Sequence, residues 1–116
     1  MIDKDKREWQ RIAVTISAKC RDIDGAPRYE PVEVRDVHQE GCCFQGQILY
    51  SKGQHVRLVL ELPFEGLVNI DGDVAWSGPV DEKGDFRTGV RFLRDNAAAE
   101  DTSMKLYHFC LLRQPK

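Results

Sequence analysis

Hydrophobic and polar residues alternate along most of the chain after Arg11, a pattern typical of β-strands with one buried face. In the first such segment the alternate positions Ile12, Val14, Ile16, Ala18 and Cys20 are apolar or small. The same pattern predicts further strands over residues 29–37, 68–76 and 86–92. Residues 42–49 are predicted as another strand, and the nearly continuous apolar run 56–62 predicts a well-buried one. Turns rich in glycine, proline or polar residues separate them.

The period changes after Asn96, where residues 97–112 contain strong helix formers and an apolar stripe at helical spacing. The stripe consists of Met104, Tyr107, Cys110 and Leu111. About six short strands followed by one helix predict an all-β fold, a barrel or a sandwich, with the helix packed on it or closing one end. Trp76, Phe86 and Phe92 fall on predicted inner faces, so we expect them in the core.

Residues 1–10 differ from the rest because they are mostly charged and show no apolar periodicity beyond Trp9. They predict a flexible N-terminal arm, followed by one barrel domain with its helix over residues 11–116. The length of 116 residues fits a single domain.

Charge and hydropathy limit the partners of this chain. Its 17 Lys and Arg against 19 Asp and Glu give a formal net charge of −2, which argues against a binder of nucleic-acid polymers. No apolar run approaches the roughly 20 residues that a membrane-spanning helix needs, and the charged start is not a secretory signal. We therefore expect a cytoplasmic protein without membrane insertion.

The four cysteines, Cys20, Cys42, Cys43 and Cys110, include no C-x-x-C pair and lack the spacing of a zinc site. They indicate reduced thiols, some packed as small hydrophobic residues, and neither a metal nor a cofactor is expected. The chain also has no nucleophile elbow, zinc-protease motif or phosphate-binding loop with a lysine. No nucleophile, base and orienting group come together, so the sequence does not predict an enzyme.

Two polar clusters carry candidate chemistry. Lys6, Arg7 and Arg11 bracket the start of the first strand, and the planar guanidinium suits phosphate and the O6 and N7 atoms of guanine. In the turn 36–41, Asp36 offers a carboxylate for the N–H groups of guanine or for an arginine, and Gly41 offers a positive φ or a close backbone approach. Taken alone, both clusters also fit a solvated basic segment and an ordinary turn.

Together the motifs resemble the PilZ domain family. The arm Arg7-Glu8-Trp9-Gln10-Arg11 matches R-x-x-x-R, and the turn Asp36-Val37-His38-Gln39-Glu40-Gly41 matches D/N-x-S-x-x-G with histidine in place of serine. Family members often carry an apolar strand ending in tryptophan and then a G-V-x-F strand. Residues 72–76, ending in Trp76, and residues 87–92 follow this pattern. The resemblance covers residues 6–112.

The resemblance implies a six-stranded antiparallel β-barrel with a C-terminal helix that binds cyclic di-GMP. Arg7 and Arg11 would grip phosphates and guanine faces, Asp36 would bond a guanine edge, and Gly41 would keep the turn open to the ligand. His38 departs from the family serine: its larger ring either blocks the pocket or donates a hydrogen bond or stacks on a base.

Three functions from different classes follow. The first is a sensor or adaptor that changes conformation on binding cyclic di-GMP and signals to an unknown protein partner. The alternative is a degenerate PilZ module for protein interaction that does not bind the nucleotide. The third, a general single-strand nucleic-acid binder, fits small barrels but not the acidic balance or the predicted inward aromatic residues.

Overall fold

The computed structural model describes residues 11–63, 65–80 and 84–113. Six strands follow one another in the chain: β1 Ile12–Asp22, β2 Glu30–His38, β3 Gly41–Gly46, β4 His55–Leu62, β5 Gly66–Pro79 and β6 Phe86–Phe92. They close into a barrel in the order β1-β2-β3-β6-β5-β4, and every neighbouring pair is antiparallel. The prediction of a six-stranded antiparallel barrel followed by one helix is confirmed.

The alternation of the sequence fills the barrel. In β4, the side chains of Val56, Leu58, Leu60 and Leu62 are buried, while Arg57, Val59 and Glu61 between them lie outside or at the boundary. The inward side chains of β1, β2 and β5 join them in one continuous hydrophobic core. Each fully buried leucine or valine stabilises the fold by about 1.5–3 kcal/mol relative to an exposed one.

Helix α1, Ala97–Leu112, packs against β5, β1 and β2. It begins at Asn96, whose side-chain oxygen accepts a hydrogen bond from the Ala99 N–H at 2.8 Å, an N-cap that satisfies one free backbone donor. The buried stripe is Ser103, Leu106, Tyr107 and Cys110. The predicted stripe was therefore wrong at two positions, because Met104 is only half-buried and Leu111 is exposed.

Two β-bulges change the predicted faces of the strands. The β5–β6 register shifts between Val74 and Trp76, so Ala75 is an extra residue and Trp76 points outward. The prediction of Trp76 in the core was wrong: the residue is 44% exposed. The β2–β3 register shifts in the same way between Val34 and Asp36, which leaves Asp36 on the outer face. A bulge of this kind redirects a side chain and is frequent beside functional sites.

The third strand is shorter than predicted. It ends at Gly46, and both Ile48 and Leu49 lie exposed in the following loop.

Among the described residues, no helix is long and apolar enough to cross a membrane. The same part of the chain contains no group of three His, Cys, Asp or Glu side chains arranged to hold a metal ion.

Candidate functional site

One row of paired residues crosses four strands on the outer face of the barrel. Asp36 on β2 pairs with Cys43 on β3, Cys43 pairs with Gly89 on β6, and Gly89 pairs with Trp76 on β5. A cavity of about 220 Å³ lies over this row. Its lining also includes Arg11, His38 and Arg91. The structure therefore brings together Arg11, Asp36 and His38, three of the residues that the sequence predicted.

The carboxylate of Asp36 has few hydrogen-bond partners among the described residues. Its Oδ2 atom lies 3.7 Å from Nη1 of Arg11, a long ion pair. Its Oδ1 atom is buried and has no hydrogen-bond partner among residues 11–63, 65–80 and 84–113. A buried acceptor without a partner costs about 1–3 kcal/mol, and more when it is charged. Asp36 thus lines the cavity with a carboxylate whose hydrogen-bonding capacity is not filled by the described residues.

Arg11 lies directly before β1 and points into solvent, with 63% of its side chain exposed. An exposed ion pair at this distance adds little stability, so the guanidinium is free to exchange Asp36 for a phosphate. Arg91 on β6 is a second exposed cation at the cavity. Arg7, the other arginine of the predicted motif, lies outside the described residues.

The turn between β2 and β3 is fixed by several bonds. The N–H of Glu40 donates to Nδ1 of His38 at 3.2 Å, and the carbonyl of Glu40 accepts from the N–H of Phe92 at 2.8 Å. The Glu40 carboxylate lies 3.5 Å from Nη2 of Arg94. These contacts tie the turn to the end of β6 and set the position of the His38 ring beside the cavity.

Gly41 allows the close approach of two backbones. A Cβ atom at this position would collide with the carbonyl oxygen of Val90 on β6. Of the two roles left open for this glycine, the structure shows the close approach, and the described glycines with positive φ are Gly53, Gly66 and Gly84. Gly41 therefore supports the turn by letting β3 and β6 come together.

The environment of His38 favours a neutral ring. Burial lowers its pKa, and the nearby Arg11 lowers it further, while Asp36 and Glu40 act in the opposite direction. Because Nδ1 accepts the Glu40 N–H, the proton of the neutral ring lies on Nε2. The ring therefore has a defined polarity, with its donor on the side away from the turn.

Sequence reasoning missed Trp76 and Gly89 as parts of this site. A Cβ at Gly89 would collide with the indole of Trp76, so the missing side chain makes room for that ring against the sheet. A glycine inside a strand is a known sign of such close approach, and Gly89 was that signal in the sequence. No comparable feature of the sequence indicated the bulge at Ala75, which turns Trp76 outward.

Cys43 forms the floor of the cavity between Asp36 and Gly89. It is buried, with 3% exposed, and burial together with Asp36 raises the pKa of its thiol despite three nearby arginines. Cys42 faces the opposite way and belongs to the hydrophobic core. The two neighbouring cysteines therefore lie on opposite faces of β3.

A larger groove, of about 800 Å³, lies between α1 and the β4–β5 hairpin. Leu67, Leu106 and Leu112 are among its lining residues, and it contains none of the predicted site residues. The smaller cavity over Asp36 is the one that gathers the predicted site residues, and it combines a carboxylate, cationic groups and an aromatic ring.

Comparison with known families agrees with this architecture. The family model of the PilZ domain matches residues 5–109. The chain belongs to the PilZ domain family. The match spans the barrel, most of α1, the turn 36–41 and both arginines of the R-x-x-x-R motif. The resemblance found in the sequence is therefore confirmed, and among curated proteins no significant match is found.

Solved structures share the fold of this PilZ domain at low sequence identity. The PilZ domain of YcgR from Escherichia coli, solved with c-di-GMP, is 13% identical and superposes with a TM-score of 0.70, covering 92% of each chain. The motility inhibitor MotI/DgrA of Bacillus subtilis is 12% identical, with a TM-score of 0.72 over 93% of this chain and 50% of that one. The MrkH–c-di-GMP complex of K. pneumonia is 16% identical, with a TM-score of 0.70 over 91% and 52%.

Proposed function

We propose that this PilZ domain binds cyclic di-GMP over the Asp36–Trp76 row and signals its presence to a protein partner. The observation that carries the proposal is Asp36, which lines the cavity and whose buried Oδ1 atom has no hydrogen-bond partner among the described residues. The N1–H and N2–H groups of guanine are a matched pair of donors for one carboxylate. A guanine seated there would remove the cost of the unpaired acceptor.

The size of the cavity supports a single base as its occupant. At about 220 Å³ it is smaller than the roughly 300–1,000 Å³ typical of sites that enclose a whole small molecule. The remaining parts of a cyclic dinucleotide would therefore lie outside, along the exposed face. There Arg11 and Arg91 offer charge-assisted hydrogen bonds to phosphate.

Trp76 supplies the apolar contact that this ligand needs. Its indole is 44% exposed and borders the same cavity as Asp36. Stacking of a base on an aromatic side chain contributes about 1–3 kcal/mol per base. The combination of a stacking surface and an edge-reading carboxylate favours a purine base over a simple anion.

The route of the signal begins at Arg11. On binding, its guanidinium would exchange Asp36 for phosphate, and Arg7 would supply a second cation from the preceding residues. The segment before β1 would then take a position that depends on the ligand, and a partner would recognise the combined surface. This role is one of binding, not catalysis, and we place it in the cytoplasm.

The relatives support the proposal without deciding it. The YcgR PilZ domain and MrkH have each been solved with c-di-GMP.

A specific observation favours the second candidate, a protein-interaction module that does not bind the nucleotide. His38 stands where the family has serine, and its ring is a larger group lining the cavity.

Isothermal titration of the purified chain with cyclic di-GMP tests the proposal, with cyclic di-AMP and GTP as controls. We expect saturable binding selective for cyclic di-GMP, weakened at least tenfold in Arg11→Ala. Lys19→Ala, which removes an exposed cation of β1 away from the cavity, should bind as wild type. No heat and no thermal shift at high ligand concentration would overturn the sensor function and favour the interaction module.

A further inference from the structure

His38 is anchored by its own turn in a way that leaves one ring atom for a ligand. Nδ1 accepts the backbone N–H of Glu40, two residues along the chain. Serine hydroxyls make the same kind of local bond to nearby backbone groups. The histidine can therefore make the same local hydrogen bond as a serine. Its ring also has a second polar atom, Nε2, which extends farther from the backbone than a serine hydroxyl does.

The proton of this ring lies on Nε2, the nitrogen that does not bond the turn. With Nδ1 occupied as an acceptor, the neutral imidazole carries its hydrogen on Nε2 and acts there as a donor. In the same cavity Asp36 Oδ1 is a buried acceptor without a partner among the described residues. The lining of the cavity thus includes one residue with an unsatisfied acceptor, Asp36, and one with a ring N–H donor, His38.

This pair of polarities matches one purine and not the other. Guanine combines N–H donors at N1 and N2 with acceptors at O6 and N7, whereas adenine has an amino donor where guanine has O6. A ring N–H placed against that position bonds the oxygen and meets the amino group donor to donor. A site that hydrogen-bonds one substrate group rejects the analogue lacking it, because its own polar group is left unpaired.

We propose that His38 is a specificity-determining residue of the ligand site, and that its Nε2–H donor selects purines with a 6-oxo group over adenine. The inference rests on the proposed binding of cyclic di-GMP and adds a role for the one position that departs from the family motif. It excludes two other roles for the ring, steric closure of the cavity and stacking without a hydrogen bond.

Two variants and three ligands separate these roles. His38→Phe keeps an aromatic ring and removes both nitrogens, while His38→Asn keeps an acceptor for the Glu40 N–H and a donor for the ligand. Titrations use cyclic di-GMP, cyclic di-IMP, which retains O6 but lacks the 2-amino group, and cyclic di-AMP. We expect His38→Phe to bind the first two roughly tenfold more weakly and cyclic di-AMP within about twofold of wild type. His38→Asn should recover most of the loss.

A second measurement needs no variant. Long-range ¹H–¹⁵N correlation on the wild-type chain should show the His38 ring protonated at Nε2 without ligand, with that nitrogen shifting on addition of cyclic di-GMP and cyclic di-IMP. A ring protonated at Nδ1, or an Nε2 signal unmoved by bound cyclic di-GMP, would overturn the inference even if His38→Phe failed to fold.

The outcomes distinguish this inference from the function beneath it. If the wild-type chain binds none of the three ligands, the proposed function fails and the role of His38 falls with it. If wild type binds cyclic di-GMP and His38→Phe binds it equally or more tightly, only the inference fails, because a ring without nitrogens then serves the ligand as well as the imidazole does. Equal weakening for all three ligands shows that the imidazole does not discriminate between 6-oxo and 6-amino purines and also overturns it.

Discussion

The indole of Trp76 occupies the space that a side chain on Gly89 would need, directly across the β5–β6 ladder. The two residues depend on each other: the glycine lets the ring lie close to the sheet, and the ring covers a backbone that has no side chain. Since Trp76 is nearly half exposed, this arrangement is a surface feature at the cavity and not part of the core.

Replacing Gly89 with alanine should therefore displace the indole toward solvent. We expect cyclic di-GMP to bind about tenfold more weakly, because the stacking surface moves, while the free energy of unfolding falls by only about 1 kcal/mol. Gly78→Ala is the matched control, because a Cβ there meets no atom within 4 Å. Titration and urea unfolding of both variants decide the matter, and unchanged affinity in Gly89→Ala would remove Trp76 from the site.

Asp36→Asn tests the acceptor that faces the cavity. The amide is nearly the same size as the carboxylate but places a donor where guanine presents donors. We expect affinity for cyclic di-GMP to fall roughly 10- to 100-fold, the range for a hydrogen bond to a charged group. Stability should not fall, because the ion pair with the exposed Arg11 is long and a neutral amide lessens the cost of the buried Oδ1 acceptor.

Asp71→Asn is the control for this variant. Asp71 makes a bidentate pair with Arg57, at 2.7 and 3.0 Å, on a different part of β5. Its loss should reduce the free energy of unfolding by less than about 1 kcal/mol and leave ligand affinity unchanged. If Asp36→Asn binds cyclic di-GMP as tightly as Asp71→Asn does, the guanine-reading role of Asp36 is wrong.

The sequence predicted most strands, and which of their residues face the core, because burial on one side of a strand imposes a period of two. The prediction worked well for β1, where Ile12, Ile16, Ala18 and Cys20 are all buried. It failed where an extra residue resets the period. Trp76 follows such a bulge, and a pattern that assumes strict alternation places it in the wrong layer.

The candidate site was predictable only in part for the same reason. Arg11, Asp36 and His38 were found because a motif in the chain marks them, and the structure places them at one cavity. Trp76 and Gly89 line the same cavity, which extends from β2 to β5 across two intervening strands. This relation depends on barrel closure and register. No local spacing in the sequence encodes that register.

The four thiols should be unreactive in the folded protein. All of them are buried and free. Burial raises the pKa of Cys20 and of Cys110 to about 11, and raises that of Cys42 well above its ordinary value. Because the thiolate is the reactive form, we expect almost no reaction with a chromogenic disulfide reagent at pH 8 and four equivalents after unfolding in urea.

Cys43→Ser provides the control for that count. It should reduce the number of thiols that react after unfolding by one and leave the slow reaction of the folded protein as it was. A thiol that reacts within seconds in the folded wild-type chain, and disappears in Cys43→Ser, would show that the floor of the cavity opens to solvent.

His38 should make the stability of the protein depend on pH. Burial first, and then Arg11, lower its pKa in the folded state, against the opposing effects of Asp36 and Glu40, so the unfolded chain binds its proton more readily. This contribution to stability is fully present above the ordinary histidine pKa of about 6.5 and is lost as the pH falls toward the lowered value. Protonation also removes the acceptor of the Glu40 N–H.

We expect the urea midpoint to fall between pH 7.5 and pH 5 by less in His38→Asn than in wild type. His108→Gln, which removes an exposed histidine of α1, should keep the wild-type dependence. Equal pH dependence in His38→Asn and wild type would show that the His38 ring is not held neutral by the fold.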